Sequence, residues 1–310
     1  MRITERTIFD AALRNLQRNR RALRELQSQV GTGRRINSIA DDPSGLAQVL
    51  GLRRGVERVD QFQRNIDAAR SGLEQTENQL GATSNLLIRA RELAVSADVE
   101  TPAFSQIQTE VEGLFEQMLQ LSNARSDRGY LFSGFRSRTA PFSAPLPFNP
   151  GGPSPTVSYN GDIQSVLSQV GEASTLKRNL TGAEVFLDDV NQDGIPEPGR
   201  VDLFQVLGNL RDALRTQNSA GILSSIGQLD SAIDQVSTAR GIVGSRLNQL
   251  DITSRQLEDL RVSIESERSS IEDVDFVAAA SDLAGRESAL QASLAVTTRV
   301  LQSSLVDFLR

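Results

Sequence analysis

The stretch LRRGVERVDQFQRNIDAARSGLEQTENQLGATSNLL, residues 52–87, decides the architecture. Apolar side chains recur every seven positions, at Leu52, Val59, Ile66, Leu73, Leu80 and Leu87. Phe62, Ala69, Thr76, Thr83 and Ala90 stand three places after all but the first of these. Because two helical turns take about seven residues, both sets fall on one side of a helix and form a coiled-coil seam. No proline interrupts residues 44–101, so the pattern predicts one helix from Ser44 to about Ala97. At ~1.5 Å per residue such a helix is ~80 Å long and needs long partners. One stands in the second half, where Ile222, Leu229, Val236, Val243, Leu250, Leu257, Ile264 and Ile271 keep the same interval, interleaved with Ile226, Ile233 and Leu247. A shorter amphipathic helix carries Ile107, Val111, Leu114, Met118 and Leu121, starting after the break at Thr101-Pro102. The expected fold is mainly α, a long antiparallel coiled-coil helical bundle of three or four helices formed by the N- and C-terminal halves.

Composition narrows the function. The 310 residues include no Cys, no His and no Trp, which excludes disulfides, thiolate or imidazole metal sites and His-based triads. Aromatics are 5%, which suits long, thin helix packing. The formal charge of −6 gives the whole chain no electrostatic case for nucleic acid or an anionic membrane. Charge is uneven, however: residues 1–35 hold nine Arg against Glu5, Asp10 and Glu25, whereas residues 271–310 hold three Arg against six acids. The two ends are therefore complementary. No stretch approaches the ~20 apolar residues of a membrane span, and the first residues are too charged for a signal-peptide core of ~7–15 apolar residues.

The ends carry seams of their own. Phe9, Ala12, Leu16, Asn19, Leu23, Leu26 and Val30 form one that stops at Gly31-Thr32-Gly33; Phe276, Ala280, Leu283, Leu290, Leu294, Leu301 and Phe308 form the other. A lone amphipathic helix of this kind is marginal in water, because no tertiary face covers its stripe. The ends are expected to be weakly ordered in the monomer, to pair with each other, and to become ordered fully when neighbouring subunits cover them. Proline maps the middle: eight of the ten fall between Pro141 and Pro198. Six of the fourteen aromatics, Tyr130, Phe132, Phe135, Phe142, Phe148 and Tyr159, lie in residues 130–159. A small β-rich insertion around an aromatic core is expected, with strands at Thr156–Tyr159, before the hairpin cue Asn160-Gly161, and at Ala183–Leu187. The resulting division is 1–40 with 273–310 as terminal assembly helices, 41–135 with 200–272 as the bundle, and 136–199 as a surface domain.

Several motifs have plain readings. Gly31-Thr32-Gly33 lacks the third glycine of a dinucleotide fingerprint and follows a helix, so it reads as a helix stop. Asp41-Asp42 could be paired catalytic carboxylates, but Asp42 before Pro43 reads better as a helix N-cap. Asp189, Asn191 and Asp193, followed by Gly194, match the first half of a calcium loop and are the candidate metal ligands. The second half fails, since Arg200 stands where a bidentate Glu belongs, and a loop tip bonding its own backbone is the better reading. Arg20-Arg21, Arg34-Arg35 and Arg53-Arg54 flank apolar seams and read as solvated coiled-coil faces. Asn19 and Glu287 occupy seam positions, where polar residues can fix register. A carboxylate-dependent hydrolase would need two acids about 5–10 Å apart in a cleft, and no such pair is evident.

Gly33-Arg34-Arg35-Ile36-Asn37-Ser38 through Asp41-Asp42-Pro43-Ser44-Gly45-Leu46-Ala47 resembles the amino-terminal signature of the bacterial flagellin superfamily. Asp275-Phe276 through Ser288-Ala289-Leu290-Gln291-Ala292 to Leu305-Val306-Asp307-Phe308-Leu309 is similar to its carboxy-terminal helix. Gly129-Tyr130-Leu131-Phe132-Ser133-Gly134-Phe135 and Thr139-Ala140-Pro141-Phe142 resemble the hook-filament junction branch more than the filament branch. The resemblance implies a structural axial protein of the bacterial flagellum, not an enzyme and without cofactor, exported without a signal peptide and found outside the cell. It implies hook-associated protein 1 and flagellin as partners, self-association in a ring at the junction, and an export chaperone at the C-terminal helix. The implied assembly residues are Phe9, Leu16, Leu23, Leu26, Val30, Arg35, Asn37, Asp41, Asp42, Phe276, Leu283, Leu290, Leu294, Leu301, Leu305 and Phe308. Filament flagellin is the close alternative and a cytosolic coiled-coil scaffold the remote one.

Overall fold

A computed structural model describes residues 2–97, 104–149 and 151–308. Helix α1 spans Arg2–Thr32, α2 Pro43–Ala97 and α3 Phe104–Ser122. Short strands β1 (Arg125–Ser126), β2 (Gly129–Tyr130), β3 (Phe142–Ser143), β4 (Ser158–Tyr159), β5 (Leu167–Gln169) and β6 (Thr175–Lys177) follow. The chain then returns to helix in α4 (Gly182–Phe186), α5 (Leu203–Arg215), α6 (Ser219–Glu272) and α7 (Phe276–Phe308). Two compact units result: Met1–Val59 with Glu258–Arg310, and Asp60–Leu257. The Thr101-Pro102 break expected before α3 lies outside the described residues.

In the Asp60–Leu257 unit the heptad seams become the core. Ile66, Ala69, Leu73, Leu80, Leu87 and Ala90 of α2 are buried, as are Ile222, Leu229, Val236, Val243, Leu250 and Leu257 of α6. Ion pairs at the seam's edge fix the direction, because Arg70 meets Asp251, Glu77 meets Arg240 and Arg91 meets Asp230: rising numbers on α2 face falling numbers on α6. The two helices are antiparallel, as the spacing predicts. Thr76 and Thr83 stay in the seam by donating their hydroxyls to the Gly72 and Gln79 carbonyls one turn back, which satisfies the buried oxygen.

Helix α3 packs against α5 around Val111, Phe115 and Met118. Asp202 caps α5 by accepting from the Phe204 and Gln205 amides at 2.8 and 3.0 Å. Arg211, buried on α5, donates to Glu112 at 2.8 Å and to the Gly152 and Asn149 carbonyls, tying the proline-rich loop to both helices.

The strands form three two-stranded antiparallel ribbons, β1–β2, β3–β4 and β5–β6. The expected aromatic core exists and is larger than the sequence suggested: Phe132 and Phe142 pack edge-on against Phe186, and Phe142 also meets Tyr159 and Phe204. Phe135 is left exposed. Two expectations are corrected. Ala183–Leu187 is not a strand: residues 182–186 are α4, because Thr181 and Glu184 form a reciprocal capping box that starts a helix turn. Asn160-Gly161 closes no hairpin, since β4 pairs with β3 across a long connection, Phe142 opposite Tyr159.

Candidate assembly site

Residues 33–46 and 269–279 build the junction where the two terminal helices join the long ones. The stop at Gly33 is real: its φ of +71° is the left-handed conformation that lets α1 end, and its amide closes the last turn on the Gln29 carbonyl. Beyond it the chain runs beside the end of α6. Arg34 bridges Asp273, the Arg35 amide donates to the Glu272 carbonyl at 2.7 Å, and the Val274 amide donates to the Gly33 carbonyl at 3.1 Å. The Arg35 guanidinium donates to the open Ile271 carbonyl at 2.8 Å and pairs with Asp42 at 3.3 Å. One side chain thereby closes the C-terminus of α6 and holds the N-cap of α2.

The Asp pair of the sequence splits into a loop tie, Asp41, and a helix cap, Asp42. Asp41 Oδ2 accepts from the Asn37 and Ser38 amides at 2.9 and 2.7 Å. Asp42 Oδ1 accepts from the Gly45 amide at 2.8 Å and from the Ser44 hydroxyl at 3.0 Å. These bonds, the Asn37 amide foremost for Asp41 and the Gly45 amide for Asp42, hold both carboxyls below the usual range. Both carboxylates are thereby engaged in ordering the turn between α1 and α2. Asn37 spans the same turn, donating to the Arg34 carbonyl at 3.0 Å and facing the Thr32 hydroxyl at 2.8 Å. Ile36 is the buried peg of the loop, whereas Ile39 is 70% exposed.

Glu272 went unrecognised in the sequence. It is 3% exposed and pairs with Arg34 at 3.0 Å, Arg53 at 2.5 Å and Arg268 at 3.7 Å. The charge asymmetry of the chain ends signalled that such pairing exists, but a contact across 219 positions has no local signature. Just after it, Asp275 starts α7 by accepting from the Val277 and Ala278 amides.

Helices α1 and α7 pair with each other. Leu16, Leu23, Leu26 and Val30 on α1 and Leu283 and Leu290 on α7 are half-buried there. Phe276 and Leu294 are exposed, at 59% and 42%. Asn19 lies in the pairing face, its amide 3.4 Å from the Ser293 hydroxyl. Glu287 is exposed. The side chains of Phe9, Leu301, Leu305 and Phe308 lie outside the described residues.

The calcium-like loop is exposed and folds on itself. Asp189 accepts from the Asp193 and Gly194 amides, Asp193 from the Ile195 amide, and Glu197 from the Val190 amide. Those bonds close the loop tip on its own backbone, as the sequence reading expects. Among the described residues no helix is long and apolar enough to cross a membrane.

The bacterial flagellin N-terminal helical region matches residues 3–136, and the bacterial flagellin C-terminal helical region matches residues 226–309. Together they take in well over half of the sequence, and the chain belongs to the bacterial flagellin family. Within that family it is similar to flagellar hook-associated protein 3 of Salmonella typhimurium, at 25% identity over 100% of both chains. Flagellar hook-associated protein 3 of Escherichia coli is 24% identical over 98% of both. The crystal structure of the flagellar junction protein FlgL from Legionella pneumophila superposes with a TM-score of 0.58 at 19% identity, covering 73% of this chain and 99% of that one.

Proposed function

We propose that the chain is a structural component of the flagellar axis and acts as an adaptor at the hook-filament junction. Its terminal helices gain from neighbouring subunits the apolar contacts they lack, so that docking completes folding. One observation carries the reading: α1 and α7 already pair, yet Leu16, Leu23, Leu26, Val30, Leu283 and Leu290 stay half-buried and Phe276 and Leu294 exposed. A helix pair covers only part of each other's stripe, and the remainder needs a further layer of protein. Similarity to hook-associated protein 3 over the whole of both chains, together with the fold shared with flagellar junction proteins, supports the junction reading.

On this reading residues 1–40 and 273–310 are the assembly part, 41–135 with 200–272 the bundle, and 136–199 the solvent-facing part. The partners are hook-associated protein 1 on one side and flagellin on the other, with copies of this chain forming a ring. A chaperone holds the C-terminal helix before export, and the protein works outside the cell. It is not an enzyme. The deciding experiment compares the whole chain with residues 41–272, verified as helical by circular dichroism, for capture of purified hook-associated protein 1 and flagellin. The shortened chain is expected to lose both partners; retained capture overturns the proposal. Long filaments formed by the purified chain alone would favour filament flagellin instead.

A further inference from the structure

Within the Asp60–Leu257 unit, a cavity of about 100 Å³ lies between the β1–β2 hairpin, the α2 face at Ala68 and Thr76, and the end of β6. Arg128 and Arg178 both line it, together with Ser126, Ser137 and Asn179. The Arg128 guanidinium reaches towards the Ala68 carbonyl at 3.5 Å, and Arg178 is half-buried. Among the described residues no carboxylate comes within 4.0 Å of either guanidinium. Their surroundings are otherwise well paired: Lys177, adjacent to Arg178, meets Glu184 at 2.6 Å. Burial first, and the charge of Arg128 second, hold the Arg178 pKa below its ordinary value. Two cations facing one cavity without a counter-charge raise each other's energy, and an anion placed between them relieves it.

The cavity wall is built to a fixed shape. Gly129, at a φ of +119°, sits where any side chain would collide with the Ser137 carbonyl, and Gly134, at +67°, where one would collide with Asp162. Asp162, the acid packed against Gly134, is already engaged by the Phe135, Arg136 and Gln164 amides. The segment Gly129–Phe135 thus closes tightly against Asp162, whose carboxylate faces backbone amides and pairs with neither arginine.

We propose that this cavity is an oxyanion site in which Arg128 and Arg178 together hold one carboxylate or phosphate group, with the Ser137 hydroxyl and the Asn179 amide hydrogen not given to the Gln164 carbonyl as further donors. Its volume admits a single such group. The anion has two sources, a carboxylate side chain of a neighbouring copy of this acidic chain, whose formal charge is −6, or a free inorganic ion.

The test follows the arginine Nε–H resonances of the whole 15N-labelled chain as inorganic phosphate is added at constant ionic strength. Two signals, assigned by their absence in Arg128→Gln and Arg178→Gln, are expected to shift saturably at millimolar phosphate or below. Each variant should weaken binding at least tenfold, and Arg178→Lys should recover part of it. Sedimentation then separates the sources. If self-association falls both with phosphate and in Arg178→Gln, a neighbour's carboxylate is the occupant; if it is unchanged while phosphate binds, the occupant is the free anion. Absence of a saturable shift in the wild-type chain, with self-association indifferent to phosphate, overturns the proposal without reliance on any variant folding.

Discussion

The same seven-residue rule is obeyed twice in this chain with different results. In the Asp60–Leu257 unit the seam residues Leu73, Leu80, Leu229 and Val243 are wholly buried. In the unit formed by Met1–Val59 and Glu258–Arg310, seam residues Leu16, Leu23, Leu283 and Leu290 remain half open. Helix length does not explain the contrast, since α1 has 31 residues and α7 has 33, ample for stable pairing. What differs is the number of layers. The first seam is enclosed by α2 and α6 with α3, α5 and the aromatic cluster filling in around them, while α1 and α7 are described only against each other. Truncation in the closed region should therefore cost the most. Leu80→Ala is expected to destabilise the monomer by about 3 kcal/mol, through lost transfer energy plus a cavity that close packing cannot collapse. Urea unfolding followed by circular dichroism checks it; a change under about 1 kcal/mol would show that the closed seam tolerates voids and erase the contrast.

The open region is held at its root by charge. Glu272 serves three arginines at once, and Glu272→Gln keeps the volume while removing the counter-charge from Arg34, Arg53 and Arg268. Breaking a buried pair costs about 3–5 kcal/mol, but these arginines are each more than a third exposed and can rehydrate, so about 2 kcal/mol is expected. Amides of residues 33–36 and 272–275 should exchange faster in the variant, with those of Leu73 and Leu80 unchanged. Equal acceleration everywhere would mean that the clasp supports the whole chain instead of the open unit alone.

How much of this was legible depends on whether the signal is local. Helix α2 is found almost to the residue because a heptad repeat, a cap and an N1 proline all lie within one continuous stretch. The antiparallel partner follows from the same period. Helix α4 was misread because Val185 and Phe186 favour strands in isolation, whereas the Thr181 and Glu184 pair that overrides them rests on two side chains three positions apart. Helix α5 was absorbed into the bundle without being separated, although Asp202 and the run of Leu203, Phe204, Val206, Leu207 and Leu210 mark it. At the site, Arg35, Asp41 and Asp42 were readable as a motif, but what they bind was not. Glu272 and the Ile271 carbonyl reach them only through tertiary structure.

Asp202 offers a pH probe of the closed region. Burial, opposed by the Gln205 and Phe204 amides, pushes its carboxyl up from 3.8 to about 6. The folded chain therefore binds this proton more tightly than the unfolded one. The stabilisation it brings is complete below about pH 4 and is lost as pH rises to about 6. Because the carboxyl is only partly withdrawn from water, about 1 kcal/mol is expected over that interval. Asn caps a helix about as well as Asp, so Asp202→Asn should keep the cap and abolish the dependence. Urea midpoints at pH 4 and pH 7 should move apart between wild type and variant by that amount. Parallel midpoints would place the carboxyl in water and make the α5 terminus looser than its burial indicates.

The smallest effect on the monomer should come from the open seam itself. Leu294 is 42% exposed, so Leu294→Ala removes little that is packed and should change unfolding by no more than about 0.5 kcal/mol. The same change deletes apolar surface that the proposed function assigns to a neighbouring subunit, and there it should weaken capture of the junction partners several-fold. Capture falls while stability holds only if the side chain works between molecules. A residue needed for the fold would lower both stability and capture, and a residue of no consequence would lower neither. A several-fold loss of capture at unchanged stability is the result that separates a seam closed by its own chain from one left for another chain to close.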